Sequence, residues 1–138
     1  MTLRYLLDTN VVSEPLRPRP SKRVLERMRR HEGEIAIAAI VWHELRSGCD
    51  RLPPGPRRDA IERFLTDVIA LSFPILAYDR DAAHWHAAER ARLVAAGRTP
   101  SFVDGQIAAV AQVNDLALVT ANRPHFTLFR GLRILSWT

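Results

Sequence analysis

Residues 3–10 read Leu-Arg-Tyr-Leu-Leu-Asp-Thr-Asn, a short and mostly apolar run that stops at an acid. Apolar residues that follow one another without strict alternation are typical of a strand covered on both faces, as strands of a parallel sheet are. We therefore predict a first strand over residues 3–7, with Asp8 at its carboxyl end. Residues 9–14 can form a short helix, which Pro15 is expected to close because proline cannot continue the helical hydrogen-bond ladder.

Beyond this stretch the chain alternates predicted strands and helices. Apolar runs between turn residues predict further strands over residues 35–39, 74–77, 116–120 and 132–135. Apolar periodicity and N-cap residues predict helices over residues 21–30, 40–49, 57–71, 79–96 and 102–113. The clearest helical signal is an apolar residue at i, i+3, i+4, i+7 and i+8, which predicts one buried face. The residues at that spacing are Ile61, Phe64, Leu65, Val68 and Ile69.

Strands separated by helices favour an α/β fold, because each helix crosses a face of the sheet before the next parallel strand begins. We predict a short, mostly parallel sheet of four or five strands with helices on both faces. The chain has 138 residues, a length that suits one hydrophobic core. A single domain over residues 1–138 is therefore expected.

The composition excludes several classes of protein. Hydrophobic residues make up 47% of the chain, far more than a disordered sequence carries. Cys49 is the only cysteine, which excludes a disulfide scaffold and a cysteine-ligated zinc or iron–sulfur site. Apolar runs are too short for a membrane span, and Asp8 comes too early for the apolar region of a signal peptide. We expect a cytoplasmic protein that does not engage a membrane.

Basic residues are concentrated early in the chain. Lys and Arg number 20 against 15 Asp and Glu, a net charge of +5. Residues 17–30 contain seven of these cations and only Glu26 to oppose them. This segment is either a solvated helix face or a surface for nucleic acid or an acidic partner. The candidate nucleic-acid-binding residues are Arg17, Arg19, Arg23 and Arg46.

Several polar residues fall where predicted strands end or the following helices begin. In a parallel sheet these positions share the carboxyl edge, where ligands of α/β proteins bind. Segments distant in the sequence would therefore bring three carboxylates, a hydroxyl and an amide together. The residues at this edge are Asp8, Glu44, Asp104, Thr120 and Asn122.

Each of these residues has an ordinary structural alternative. Asp8 could cap the short helix after it, and Glu44 could be a solvated helical residue. Ser101 and Asp104 have the spacing of a capping box, and Asn122 could begin a turn. The functional interpretation gains weight only because all of them are expected at one edge.

Carboxylates that converge repel one another, and a bound divalent cation removes that cost. Oxygen ligands suit hard cations such as Mg²⁺ or Mn²⁺. Such a metal can acidify a water molecule and neutralise charge on a phosphoryl oxygen. An acidic metal site beside an arginine-rich surface is what hydrolysis of a phosphodiester requires.

Four segments of the chain carry the acids just described and the residues around them. The first is Leu-Leu-Asp-Thr-Asn-Val-Val-Ser-Glu-Pro-Leu-Arg at residues 6–17. The second and third are Ala-Ile-Val-Trp-His-Glu-Leu-Arg-Ser-Gly at 39–48 and Phe-Val-Asp-Gly-Gln-Ile-Ala-Ala-Val-Ala at 102–111. The fourth is Leu-Val-Thr-Ala-Asn-Arg-Pro-His-Phe at 118–126. In this order the four segments resemble the motifs of the PIN-domain ribonuclease toxins of the VapC and FitB type.

The resemblance implies a Mg²⁺-dependent endoribonuclease that is the toxin of a bacterial type II toxin–antitoxin pair. Asp8 and Asp104 would hold Mg²⁺, for which Mn²⁺ could substitute. Glu44 would complete the acidic site and position or deprotonate the attacking water. The supporting residues would be Thr120, Asn122 and Asn10.

The resemblance also implies partners: an RNA substrate, a second copy of the chain in a homodimer, and a small VapB- or FitA-like antitoxin. Operator DNA would be bound only through the antitoxin. Helices 21–30 and 57–71 are the candidate antitoxin groove, although the apolar stripe on the second is most simply core.

Two departures from the family pattern keep a second hypothesis open. Asn122 stands where related toxins can carry Asp, which removes a charge from the site. His125 stands where Asp often precedes the final Phe, and it could contact an RNA phosphate or be a surface turn residue. The alternative is a catalytically weak or inactive subunit that acts in an antitoxin–operator DNA complex.

Overall fold

Five short parallel strands form the centre of the protein in a computed structural model, which describes residues 2–138. They pair in the order β3-β2-β1-β4-β5. The strands are β1 (Tyr5–Leu7), β2 (Ile35–Ala38), β3 (Ile75–Leu76), β4 (Ala117–Val119) and β5 (Ile134–Leu135). This confirms the predicted α/β fold with a parallel sheet. Residue 1 of the expected domain lies outside the described residues.

The helices connect these strands and cover the sheet. They are α1 (Thr9–Val12), α2 (Lys22–Arg30), α3 (Ala39–Asp50), α4 (Pro56–Phe64), α5 (Ala70–Ser72), α6 (Arg80–Ala95) and α7 (Phe102–Val113). Their caps follow the sequence, since Ser21 Oγ accepts from the amide of Val24 at 3.3 Å. Gly97, at a φ of +76°, ends α6 in the left-handed conformation that glycine adopts without strain. Among residues 2–138, none of the helices is long and apolar enough to cross a bilayer.

The predicted helix over residues 9–14 is wrong in its last two residues. The α-helix ends at Val12, and residues Glu14–Leu16 form a separate 3₁₀ turn. Pro15 lies inside that turn rather than closing the helix. Proline is tolerated there because the first residues of a helix or turn need no backbone donor.

The predicted continuous helix over residues 57–71 is interrupted. After α4 the backbone forms a π turn at Leu65–Ile69, and α5 is the final turn. A π turn carries more residues per revolution than an α-helix and so shifts the phase of the apolar stripe. Leu65 and Ile69 are buried, whereas Val68 is 44% exposed instead of joining the predicted core face.

The core lies between the sheet and its helices. All three residues of β1 and all four of β2 are buried, as expected for strands covered on both faces. The middle of α7 is buried on all sides, and its buried residues are Gly105, Ile107, Ala108, Ala109, Val110 and Ala111. The central strand β1 therefore has packed neighbours on every side, and its carboxyl end is held rigidly.

A glycine lets α6 and α7 approach closely. His86 of α6 is 1% exposed, and its Nδ1 is 2.9 Å from the Tyr78 hydroxyl. A Cβ atom at Gly105 of α7 would overlap the His86 imidazole. Burial lowers the pKa of His86, and the charge of Arg90 lowers it further. The neutral ring therefore packs against the backbone of α7 one residue beyond Asp104.

We predict opposite effects for two glycine-to-alanine substitutions. Gly105→Ala should destabilise the protein by about 1–3 kcal/mol or more, because the new methyl group overlaps His86. Gly48→Ala should stabilise it by up to about 1 kcal/mol, because a Cβ there meets no atom within 4 Å and alanine favours the helix. Urea unfolding measures the change in the free energy of unfolding for each variant. Equal changes for Gly105→Ala and Gly48→Ala would contradict the close packing of His86 on Gly105.

Candidate active site

Asp8 is fixed at the carboxyl end of β1 by two hydrogen bonds. One carboxylate oxygen, Oδ1, accepts from the Thr9 amide at 2.8 Å and so caps α1. The other, Oδ2, accepts from the hydroxyl of Thr120 at 2.8 Å. The pairing of Leu7 with Val119 places the next residues of the two strands, Asp8 and Thr120, side by side. The Asp8 carboxylate therefore caps α1 and also lies at the sheet edge predicted to form the site.

Thr120 links the ends of β1 and β4. Its side chain is completely buried. The hydroxyl donates to Asp8 and accepts from the Asn122 amide at 2.9 Å. The Thr120 hydroxyl therefore restrains both the side chain of Asp8 and the backbone that follows β4.

Glu44 reaches the same edge from α3. This helix begins directly after β2, which pairs with β1, so its second turn lies near the start of α1. The hydroxyl of Thr9 donates to Glu44 Oε1 at 2.8 Å. Glu44 is exposed, so its carboxylate can meet solvent or a ligand. Thr9 was not among the predicted site residues; its place directly after Asp8, with a side-chain donor, is the signal that could have identified it.

Asp104 lies in the first turn of α7. Ser101 Oγ accepts from the Asp104 amide at 3.3 Å, which is half of the capping box that the spacing suggested. The Asp104 carboxylate does not complete the box; its Oδ2 is 3.5 Å from Nδ1 of His125. Burial raises the pKa of the Asp104 carboxyl, His125 opposes that rise, and the charges of Asp8 and Glu44 add to it.

The charges of Asp8 and Glu44 add to the rise in the pKa of Asp104 that burial causes, so the three acids are near enough to repel one another. Their oxygens are hard ligands, and the donor set contains no sulfur. A divalent cation would remove the mutual repulsion that raises the pKa of Asp104. The chemistry of these oxygen donors therefore suits Mg²⁺ or Mn²⁺.

The two predicted supporting amides lie at the margin of this cluster. Asn10 is exposed on the first turn of α1, and no side-chain hydrogen bond of Asn10 is found within residues 2–138. Asn122 is half-buried and precedes the 3₁₀ turn Arg123–His125. The carbonyl of Asn122 accepts from the amide of His125 at 3.1 Å, which holds that histidine over Asp104.

Two of the four arginines predicted to bind nucleic acid are already paired within the protein. Arg17 Nε is 2.8 Å from Oε2 of Glu14, although that nearly buried oxygen receives no hydrogen bond of good geometry. Arg46 donates to Glu62 at 2.6 Å and to Asp50 at 2.9 Å. The other two, Arg19 and Arg23, are exposed and carry no ion pair among the described residues.

Among residues 2–138, the side chains whose ligand atoms lie at metal-binding distances from one another are away from the sheet edge. Ligand atoms of Cys49, Asp50 and Glu62 lie within 4.8 Å of one another. The guanidinium of Arg46 already bridges the two carboxylates. Burial raises the pKa of the Cys49 thiol, so a thiolate ligand is disfavoured. This group is therefore best described as an ion-paired cluster rather than a metal site.

Shallow grooves adjoin the acids on two sides. One groove runs along α3 and is lined by Glu44, Ser47 and Arg51 together with Thr9. The other is lined by Ser101, Asp104, Pro124 and His125. Glu44 and Asp104 each therefore line a groove that is open to solvent.

Comparison with known proteins gives consistent matches. A profile of the PIN domain matches residues 5–127. Toxin FitB of Neisseria gonorrhoeae is 35% identical over 124 residues, 88% of this chain and 89% of FitB. The tRNA(fMet)-specific endonuclease VapC of Shigella flexneri is 31% identical over 137 residues, 99% of both proteins. A chain in the crystal structure of DNA-bound VapBC from Salmonella typhimurium matches with a TM-score of 0.85 and 25% identity, covering 99% of both chains.

The raised pKa of Asp104 predicts that Asp104→Asn raises the melting temperature of the metal-free protein. A carboxyl whose pKa is raised by folding favours the folded state when protonated, and this contribution is lost as the pH rises through that pKa. The gain from asparagine should therefore be small in acid and larger near neutral pH.

The matched control is Asp81→Asn. Asp81 also lies in the first turn of a helix, α6, but it is exposed. Loss of a helix-dipole interaction alone would lower the melting temperature in both variants. Calorimetry between acid and neutral pH should show opposite signs, and a lower melting temperature for Asp104→Asn at neutral pH would contradict the electrostatic description of the site.

Proposed function

The chain belongs to the PIN domain family and is of the FitB and VapC type, and from this we propose that it is a divalent-metal-dependent endoribonuclease, the toxin of a bacterial toxin–antitoxin pair. The observation that carries the proposal is the convergence of Asp8, Glu44 and Asp104 at one sheet edge, where two of them raise the pKa of the third. The endonuclease name of the Shigella flexneri relative supports it.

Asp8 and Asp104 are proposed to hold Mg²⁺, with Mn²⁺ as a substitute. A bound ion of this kind acidifies water and neutralises charge that develops on a phosphoryl oxygen. The protein positions its ligands in advance: Thr120 and the Thr9 amide restrain both oxygens of Asp8. Such restraint of ligands by neighbouring donors is what metal sites depend on for affinity.

Glu44 is proposed to position or deprotonate the attacking water. The Thr9 hydroxyl restrains its Oε1, and the side chain is exposed to solvent. Thr9 is thus a positioning residue in this proposal. Asn122 and Asn10 are proposed to support the site through amide hydrogen bonds to substrate or water, and they add no charge to it.

Arg19 and Arg23 are proposed to contact the RNA, because both are exposed cations without an ion pair in the described chain. Arg17 and Arg46 are weaker candidates for RNA contact, because each would first have to break its ion pair with an acidic residue. A cellular RNA substrate would place the activity in the cytoplasm.

The proposed protein partner is a VapB- or FitA-like antitoxin, and operator DNA would be reached only through it. The DNA-bound VapBC relative supports this assembly. An apolar groove between the 3₁₀ turn and the first turns of α4 offers a docking surface, lined by Leu16, Pro18, Ala60 and Ile61. Of the two helices predicted to form the antitoxin groove, this surface includes residues of 57–71 and none of 21–30. A homodimer is also proposed, which light scattering of the purified protein would test.

A second candidate function is a subunit of weak or absent catalysis in an antitoxin–operator complex. Asn122, in a position where related toxins can carry Asp, is the observation that favours it. This candidate predicts salt-sensitive RNA binding without turnover in any metal. An Asn122→Asp variant that gains cleavage would support it.

The deciding experiment is cleavage of total bacterial RNA by the purified, antitoxin-free protein. We expect discrete products with Mg²⁺ or Mn²⁺ and none with EDTA. Asp8→Asn and Asp104→Asn should each lower the cleavage rate more than about 100-fold, because they remove a ligand rather than a restraint on one. Asp81→Asn is the control for loss of one charge.

Cleavage that persists in both aspartate variants would show the assigned site to be wrong. A folded protein that binds Mn²⁺ and RNA but yields no products would favour the second candidate. Circular dichroism of each variant verifies that the fold is retained, so that a loss of activity can be assigned to the site.

Thr120 offers a test of ligand positioning. Thr120→Val keeps the shape of the side chain but removes the donor to Asp8, so the affinity for Mn²⁺ should fall about 10- to 100-fold. Thr120→Ser retains the hydroxyl and should bind Mn²⁺ nearly as the parent does. Titration calorimetry with Mn²⁺ measures both, and equal affinities would argue against a role for this hydrogen bond.

A further inference from the structure

One face of α3 extends from the acidic cluster to an exposed arginine. Ile40, Glu44, Ser47 and Arg51 are spaced by four, three and four residues, so they lie on one side of the helix. All four line the groove that begins at Thr9 and Glu44. Arg51 is seven residues beyond Glu44, roughly 10 Å along the axis at the rise of an α-helix.

Arg51 differs from the other arginine of α3. Arg46 is held by Asp50 and Glu62, and its guanidinium is engaged on both sides. Arg51 is exposed and makes no ion pair with any residue from 2 to 138. Its charge therefore lies free at the far end of a groove whose near end is strongly acidic.

We propose that this groove is a subsite for the substrate strand, in which Arg51 binds a phosphate near, but not at, the cleaved linkage. The inference rests on the proposed function and extends it. A guanidinium suits a phosphate because its planar donors can bind two oxygens at once. Arg51 is a positioning residue, since it is two helical turns away from the acids.

The charge distribution along the groove explains why such a contact matters. Three carboxylates repel a polyanion, and a cation at the far end of the groove offsets that repulsion at one defined phosphate. Because the separation between Glu44 and Arg51 is set by a rigid helix, binding at Arg51 fixes which linkage reaches the acids. The contact thus sets the register of the strand as well as its affinity.

The C-terminal part of the basic segment 17–30 cannot supply this phosphate contact. Helix α2 leads into β2, so its last residues approach the amino edge of the sheet, opposite the acids. Arg29 is also paired with Glu26. The later cations of that segment therefore face away from the cleavage site.

A purely structural role makes a different prediction. Arg51 is the C-cap of α3, where a cation interacts favourably with the helix dipole. That role alone would change the stability of the protein and leave its interaction with RNA unaltered. Steady-state kinetics and melting temperatures, measured on the same variants, separate the two roles.

The test compares Arg51→Gln with Arg80→Gln on a single-stranded oligoribonucleotide that contains the cleavage site mapped in total RNA. Arg80 is an exposed arginine of α6 that lines neither groove beside the acids. We expect Arg51→Gln to raise KM about 10- to 100-fold with little change in kcat, as loss of a charge-assisted hydrogen bond implies. Arg80→Gln should behave as the parent, and Arg51→Lys should recover part of the loss.

Two further readouts identify the phosphate. The slope of log KM against log salt should become shallower by about 0.7 in Arg51→Gln, as expected for one lost phosphate contact on a single strand. A methylphosphonate placed at successive linkages should weaken binding to the parent at one position beyond the cleaved one. In Arg51→Gln the methylphosphonate at that position should not weaken binding further, because the contact it removes is already missing; this is the logic of a double-mutant cycle.

The outcomes separate this inference from the proposed function. If the parent protein cleaves RNA and Arg51→Gln has the KM of Arg80→Gln, the subsite is wrong and the nuclease proposal stands. A lower melting temperature with unchanged KM would likewise overturn the subsite in favour of a helix cap. If the parent cleaves no RNA with any metal, the proposed function fails, and the subsite fails with it.

Discussion

The hydrogen bond from the Thr120 hydroxyl to Asp8 joins the ends of the two central strands, and the geometry of the site depends on it. The two residues are 112 positions apart in the chain and meet only because β1 and β4 pair in parallel. Thr120 also directs the chain that carries Asn122 and His125. The buried sheet therefore restrains the polar residues that follow β4, which would otherwise have no fixed position.

The site is assembled at an electrostatic cost. Asp104 is partly buried beside two other acids, so its charged form is disfavoured in the metal-free protein. The packing around it offsets this: neutral His86 of α6 lies against Gly105, the next residue of α7. Close packing of α6 on α7 thus fixes the backbone of the turn that carries Asp104. The divalent cation proposed above would relieve this repulsion.

The arginines show what a charge pattern leaves undecided. Residues 17–30 are the most basic segment of the chain; there Arg17 pairs with Glu14 and Arg29 with Glu26, whereas Arg19 and Arg23 have no ion pair among residues 2–138. Arg51 lies outside that segment, has no ion pair with the described residues either, and lines the groove beside Glu44. The availability of a cation depends on which acids fold against it, and this is not encoded in local composition.

The sequence by itself determined the alternation of strands and helices, the caps, and the positions of Asp8 at a strand end and of Glu44 and Asp104 in the first two turns of helices, because these follow from local periodicity. Only the tertiary structure decided which donors restrain the acids and which arginines stay free. It also decided that a π turn would expose Val68 and that Thr9 would bond Glu44. These features depend on contacts between segments that are distant in the chain, and such contacts arise only when the whole sheet has formed.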